Sequence, residues 1–349
     1  MKLLRRLVAL SAWLYVGWLL FAILAMRYVG ERWWMTGVAL YAPRLVFAVP
    51  LPIVVLALAA VGPRRLLWTQ LGAAILLAFP LMGLVIPRPT PRAKGAPVVR
   101  ILSYNVDSIV NGIDGVLGEI DRFSPDIVVL QEIGSPELLQ ARMRDRYPIV
   151  DMRNQFLLAT RFKISSTIDP EKVESGGRLR SPRFVQQVLD TPLGPIALYN
   201  VHPISPREVF YGLRGTATRS DFLRRGILHD LVSPGSNALF EGNAGLRAMQ
   251  VHTFSEMASK ETLPVLIAGD TNLPGLSYIL YRDLSRFHDA FDQAGGGLGY
   301  TFPNTNRSPW MRIDRVLAGE GLRFVGFQVG SSLASDHRCI VVDVQKDER

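Results

Sequence analysis

Six short apolar runs in the second part of the chain end, or in two cases begin, on polar residues drawn from a narrow set. Ser103-Tyr104-Asn105-Val106 closes the first, Leu130-Gln131-Glu132 the second, and Tyr199-Asn200-Val201-His202 the third. Gly269-Asp270-Thr271-Asn272 closes the fourth, Arg312-Ile313-Asp314 opens the fifth, and Ser335-Asp336-His337 precedes the sixth. Brought to one rim, Asn105, Glu132, His202, Asp270, Asn272, Asp314, Asp336 and His337 would line an oxygen-rich, acidic cavity with no thiolate. Hard oxygen donors of that kind suit Mg²⁺ or Mn²⁺ rather than a structural zinc. Singly, each motif has an ordinary use. Gly-Asp-Thr-Asn is common turn composition, Ser335-Asp336-His337 reads as a cap, Glu132 as a solvated strand end, Asp314 as an ion-pair partner of Arg315 and His202 as a loop histidine. Asn105 is less easily explained, since strands disfavour asparagine. Asp107, two residues further on, is either a second-metal contact or a solvated loop acid. The ordered set carries more than its members.

The elements that must position these residues are readable in outline. Val98 to Val106 is β-branched and alternating, and Ile113, Val116, Leu117, Ile120 and Phe123 then recur at helical spacing. Ser124-Pro125 stops that helix, and Asp126 to Leu130 follows as a buried-type strand. A hairpin fits Arg183 to Asp190 and Pro195 to Val201, a helix Gly245 to Lys260, and strands Pro264 to Ala268, Met311 to Leu317, Leu322 to Val329 and Arg338 to Val344. Hairpins outnumber crossovers. The pattern predicts a four-layer α/β sandwich, two packed mixed sheets flanked by helices, for residues 98–349.

Charge separates this part from what precedes it. The chain carries a net +9, but residues 1–100 hold 12 Lys/Arg against the single acid Glu31, while residues 101–349 hold 27 bases and 29 acids. The basic excess belongs to the front, where it flanks apolar runs. Leu7 to Met26 is 20 residues without a charge, long enough to cross a hydrocarbon core of about 30 Å. Leu45 to Val61 and Leu66 to Ile86 are two further candidate spans, so residues 1–86 are expected to be three transmembrane helices. Five of the six tryptophans lie here, in keeping with interfacial belts. Lys2, Arg5 and Arg6 favour a cytoplasmic N-terminus, and three spans would then place the rest of the chain outside the cytoplasm. Residues 87–97, rich in proline, read as a stiff extended linker. Cys339 is the only cysteine, so an intrachain disulfide and a cysteine-cluster zinc site are excluded.

The motif order resembles the endonuclease/exonuclease/phosphatase superfamily, whose members include abasic-site nucleases, inositol-polyphosphate 5-phosphatases and bacterial sphingomyelinases. The likeness runs from about residue 98 to 345. The His202-Pro-Ile-Ser-Pro206 stretch and Arg247-x-x-Gln250 look like its bacterial membrane-anchored members. The resemblance implies Mg²⁺-dependent hydrolysis of a phosphoester by direct water attack. Glu132 would bind the metal, with Asn105 and Asp336 completing its shell. Asp270 would orient and deprotonate the water, and Asn272 would hold the water or a phosphoryl oxygen. His337, oriented by Asp314, and His202 would donate to the phosphate. Two positions depart from the family pattern: Thr271 stands where Phe is usual and Arg315 where an aromatic is frequent. Residues 207–244 look like additional sequence.

Which ester is hydrolysed is less legible. Arg178, Arg180 and Arg183 form one basic cluster and Arg207, Arg214, Arg219, Arg224 and Arg225 another. Either is a grip for an anionic substrate or lipid head groups, or a solvated face. Trp310-Met311 would stack on a base, dip into lipid or pack in the core. A net charge of −2 over residues 101–349 lacks the broad positive field of nonspecific DNA binding, so a lipid or small anionic ester is favoured over nucleic acid. The alternatives are a membrane-tethered nuclease and a non-catalytic binding protein on the same fold. A Ser-His-Asp hydrolase using Ser335 or Ser103 is disfavoured, because no Gly-x-Ser-x-Gly elbow is present. The partners expected are therefore the lipid bilayer and the phosphoester itself.

Overall fold

The computed structural model describes residues 1–88, 90–206, 234–304, 308–331 and 333–347. From Val99 onward two six-stranded mixed sheets pack face to face. In the first, β13 (Leu322–Val329), β14 (Ile340–Lys346), β1 (Val99–Asn105), β2 (Ile127–Gln131), β4 (Phe156–Thr160) and β3 (Ile149–Arg153) lie side by side in that order. In the second the order is β11 (His288–Asp289), β12 (Asp314–Ala318), β10 (Val265–Asp270), β9 (Gly194–Val201), β8 (Phe184–Thr191) and β5 (Lys163–Ile168). A separate hairpin joins β6 (Val173–Ser175) to β7 (Arg178–Arg180).

The two sheets share a plan. Each has a central parallel pair, β1 with β2 and β9 with β10, and each pair is flanked by an antiparallel strand, β14 or β12. The helix α5 (Ile113–Phe123) links the first pair, and α7 (Pro234–Ser259) lies in the connection of the second. Ile101, Val129 and Leu158 meet Leu198, Leu266 and Val316 between the sheets. Outside them, Val116, Leu117 and Ile120 of α5 cover the first sheet, and Val251 and Phe254 of α7 cover the second. Both faces of β2 and β10 are thus buried along their whole length. Such strands read as unbroken apolar runs, and a polar side chain is tolerated only where the run leaves the core. The predicted sandwich is the observed one.

The front of the chain is helical: α1 (Lys2–Tyr28), α2 (Trp34–Tyr41), α3 (Pro50–Ala60) and α4 (Leu67–Leu76). Among the described residues one helix, α1, is long and apolar enough to cross a membrane; α2 and Arg44–Ala60 qualify together only as one span bent by 97°. The bend falls at Pro43, where Arg44 folds back and donates to the Ala39 and Leu40 carbonyls at 3.0 and 2.9 Å, capping α2. The stretch from Leu66 to Ile86 forms α4 and a π-helical turn, Leu77–Leu81, containing Pro80.

This helical segment packs on the sandwich. Leu19, Met26, Leu40 and Leu81 share an apolar cluster with Leu276, Met311 and Ile313. The buried Glu31 carboxylate accepts from the Ser277 hydroxyl and from the Tyr278 amide at 3.1 Å, at the start of α8 (Tyr278–Leu284). The proline-rich stretch read as a linker has irregular backbone with a turn at Lys94-Gly95, and it is fastened down along the sandwich. Thr90 donates to Gln293 O at 2.9 Å, Arg92 pairs with Asp343, and the Ala93 amide donates to Gln345 Oε1 at 3.0 Å.

Candidate active site

The sequence-predicted residues converge. Asn105 ends β1 and Glu132 follows β2; His202 follows β9, and Asp270 ends β10. Asp314 opens β12 directly opposite Asp270, and Asp336-His337 lies just before β14. All therefore sit at one end of the two central parallel pairs. Two backbone features bring the rims this close. Gly269 has φ 149°, and a Cβ there would lie 2.0 Å from the Val201 carbonyl oxygen, so only glycine lets β9 and β10 meet before His202 and Asp270. Glu132 and Asn272 both adopt left-handed φ of 52°, turning the chain sharply as it leaves the sheet. Beneath them an amide pair joins the sheets. Gln131 Nε2 donates to Asn200 Oδ1 at 2.9 Å, and Asn200 Nδ2 donates to Leu130 O at 3.1 Å.

Asn105 is central. Its Nδ2 donates to Glu132 Oε1 and to Asp270 Oδ2, both at 3.1 Å, while its Oδ1 accepts from the Asp107 amide. It holds two carboxylates side by side. Burial pushes the Glu132 carboxyl up, but His202, Asn105 and His337 outweigh it and bring it down to about 2. Its side chain is 32% exposed, so it faces the mouth. Burial raises the Asp270 carboxyl above the usual range, against the pull of His337. Asp270 Oδ1 accepts from the Asn272 amide at 2.8 Å.

The two histidines address Asp270 from opposite sides. His337 Nδ1 lies 3.0 and 3.1 Å from the two Asp314 oxygens, and its Nε2 is 3.7 Å from Asp270 Oδ2 and 3.9 Å from Asp336 Oδ1. Burial works against its charged form, yet Asp314 and Asp270 raise it to about 10. Phe302 packs against its ring at 4.6 Å between centroids. His202 Nδ1 is 2.8 Å from Gln155 Oε1, an oxygen that also accepts from Arg183. Arginine can only donate, so this oxygen is an acceptor and Nδ1 carries the proton. Nε2 then stands 3.1 Å from Glu132 Oε1 and 3.7 Å from Asp270 Oδ2, off the line of a hydrogen bond.

Four carboxylates against two imidazoles leave this rim negative even with both rings charged. A divalent cation offsets such an excess, and the donors presented to it are carboxylate oxygens, the hard set Mg²⁺ and Mn²⁺ prefer. The residues fit the group. The tightest acid–imidazole cluster is Asp270, Asp314 and His337, with donor atoms within 4.8 Å of one another, whereas the residues expected to ligate were Glu132, Asn105 and Asp336. Asn105 turns its nitrogen, not its oxygen, toward the carboxylates, and Asn272 Nδ2 donates to Pro203 O at 3.0 Å.

Gln155 and Asn304 carry no sequence signal, whereas Arg247 and Gln250 are marked in the sequence by the resemblance alone. Gln155 orients His202. Asn304, whose amide N–H donates to Asp336 O, braces the loop before β14. Arg247 and Gln250 of α7 pin the His202-Pro-Ile loop: Arg247 Nε donates to Ile204 O at 2.8 Å, and Gln250 Oε1 accepts from the Ile204 amide at 2.7 Å. Ser335 is no nucleophile in this arrangement. Its hydroxyl donates to Asn105 O at 2.8 Å and accepts from the His337 amide at 3.0 Å, and Ser103 is buried in β1. Arg315 stays out of the site: it donates to Asp289 Oδ2 at 2.7 Å and to Leu273 O at 3.1 Å, and Arg312 donates to the same Asp289 oxygen. Trp310 and Met311 pack against the N-terminal helices. Arg178 and Arg180 lie exposed on β7; the cluster from Arg207 to Arg225, within the additional stretch 207–244, lies outside the described residues.

Comparison with known proteins agrees with this geometry. Residues 102–337 match the family model described as the Endonuclease/Exonuclease/phosphatase family. Among solved structures, a family protein from Bacteroides thetaiotaomicron is 14% identical, with 73% of this chain and 98% of that one covered and a TM-score of 0.50. A family protein from Beutenbergia cavernae is 17% identical over 71% of this chain and 72% of that one, TM-score 0.46. Truncated TDP2 of Caenorhabditis elegans is 17% identical over 71% and 97%, TM-score 0.45. No match is found among curated protein sequences. With the match spanning more than half of its length and every motif on one rim of the sandwich, the chain belongs to the endonuclease/exonuclease/phosphatase family.

Proposed function

We propose that the protein is a membrane-anchored, divalent-metal-dependent phosphoesterase that hydrolyses a lipid-borne or small anionic phosphoester by direct attack of water. The observation that carries this reading is the convergence of Glu132, Asn105, Asp270, His202 and the His337–Asp314 pair at the end of two parallel strand pairs. Glu132 and Asp336, with Asn105 beside them, would hold Mg²⁺ or Mn²⁺, which when bound neutralises charge on the phosphoryl oxygens. Asp270 has one oxygen fixed by the Asn272 amide and the other accepting from Asn105, and a remaining lone pair of the second oxygen would take a proton from water. Its raised pKa makes it a better base than an ordinary carboxylate. His337, charged beside Asp314, presents Nε2–H to a phosphoryl or leaving oxygen, and His202, whose Nδ1 proton is held by Gln155, would be a second donor from the opposite side when Nε2 is also protonated. Positioned donors aimed at developing charge supply most of the acceleration in phosphoryl transfer.

Anchoring is supported by α1, which exposes Leu7, Leu10, Trp13, Leu14, Trp18, Phe21 and Leu24 along one side while Tyr15, Leu19 and Met26 are buried on the other. A lipid-borne or small ester is further supported by the closeness of the rim to this segment and by the charge balance of the sandwich. The test is a panel of phosphodiesters, phosphomonoesters and supercoiled plasmid, offered to the full chain in detergent micelles with and without Mg²⁺. Turnover of an ester that needs Mg²⁺ and is lost in Asp270→Ala supports the reading. Absence of any Mg²⁺-dependent turnover, or an Asp270→Ala variant equal to the parent, overturns it; nicking of plasmid alone moves the assignment to a tethered nuclease.

A further inference from the structure

We propose that Tyr41, in the N-terminal helical segment, is a positioning residue of the active site, its hydroxyl fixing the loop that carries Asn272. Tyr41 ends α2 and is buried against the sandwich. Its hydroxyl donates to the Asn272 carbonyl at 2.9 Å, across 231 positions of sequence. The direction is set by the other partner: Arg247 Nη1 lies 3.1 Å from the same oxygen, and a guanidinium can only donate. Arg247 is fully buried and also holds Ile204 O, two residues beyond His202. One hydroxyl therefore ties the loop after β10 to the loop after β9.

What it holds is strained. Asn272 has φ 52°, a conformation a non-glycine residue keeps only when its surroundings impose it, and in that conformation its amide points at Asp270 Oδ1. Three bonds impose it: Nδ2 to Pro203 O, the amide to Asp270, and Tyr41 on the carbonyl. Two come from the loops themselves. The third comes from the helical segment, so the catalytic geometry is completed by a part of the chain outside the sandwich and outside the stretch matched by the family model.

The inference rests on the proposed role of Asp270, and its test separates the two. Tyr41→Phe keeps the ring, and with it the packing against Leu276 and Met311, and removes only the hydroxyl. Glu31→Gln is the control: it loosens the same interface at α8 without touching residues 271–273. The full chain in detergent micelles is assayed on bis(4-nitrophenyl) phosphate with Mg²⁺, and hydrogen–deuterium exchange is followed over residues 269–281. Tyr41→Phe is expected to lower kcat about tenfold with KM within twofold, and to speed exchange at residues 271–273 by a similar factor. Glu31→Gln is expected to speed exchange at 278–281 and to leave kcat within twofold. A Tyr41→Phe variant that leaves both kcat and exchange at 271–273 within twofold of the parent overturns the inference. So does a Glu31→Gln variant with an equal fall in kcat, which would mark a general loosening. If Asp270→Ala retains the parental rate, the assignment of the base fails, and exchange at 271–273 still decides whether Tyr41 holds the loop.

Discussion

Two buried polar clusters lie a few residues apart on the second sheet, and they are built on opposite principles. Around Asp289, two arginines share one carboxylate oxygen and Asp292 stands nearby; two positive charges meet two negative ones. At the rim, Glu132, Asp270, Asp314 and Asp336 outnumber His202 and His337, and Asp270 is held beside Glu132 only by the Asn105 amide between them. Burial acts on both clusters. It is overcome at Asp289, whose carboxyl is drawn below the usual range by Arg312 and Arg315, and it prevails at Asp270, whose carboxyl is raised. A cluster that stabilises the fold settles its charge internally; one that does chemistry leaves charge for something else to settle.

Substitutions sharpen this contrast. The largest effect is expected for Asp270→Ala, a fall in kcat of about 10²- to 10⁴-fold, the range a general base supplies, with no loss of thermal stability. Asp289→Asn should do the reverse, costing about 3–5 kcal/mol by stranding buried arginines, read as a lowered denaturation midpoint with Mg²⁺ absent. If the two variants exchange these phenotypes, the distinction fails.

Acid titration comes next in size. A depressed native pKa contributes stability above the unfolded value of about 3.9, lost as pH falls toward the native one. Asp289 should therefore steepen acid unfolding below about pH 4, and Asp289→Asn should flatten it. Asp270 has the opposite sign: its ionisation costs stability as pH rises through its raised pKa, so Asp270→Asn should raise the melting temperature of EDTA-treated protein at pH 7. Parallel stability–pH curves for parent and variants would contradict both assignments. The smallest effect is expected for Ser335→Ala, a loss of about 1–2 kcal/mol from its two buried hydrogen bonds with kcat within tenfold. Abolished activity at preserved stability would reopen a serine mechanism.

The comparison also explains what could be read from the sequence. β1, β2 and β10 are buried on both faces, so they stand out as apolar runs, and a polar residue at the end of each announces the rim. The charge-balanced cluster gives no such warning, because Arg312, Arg315 and Asp289 look like any surface ions until the fold buries them. Gln155 sits in the turn before β4 and Asn304 in irregular backbone, where an amide side chain is ordinary composition, and β5 (Lys163–Ile168) is an edge strand with four of its six residues exposed, so neither composition nor period marks it. The front of the chain was legible as apolar but not in its breaks: the second expected span begins within the 3₁₀ turn Arg44–Ala48, beyond a bend set by Pro43 and the Arg44 cap. Tyr41 had no signal at all, since its partner lies 231 positions away.

That separation has a consequence for biogenesis. The helical segment leaves the ribosome long before residues 272–278 exist, so its Tyr41 donor and Glu31 acceptor precede by far the loop they hold. Contacts of such span close slowly, so completion of the rim is expected to wait until the loop after β10 docks against a helical segment that precedes it in the chain.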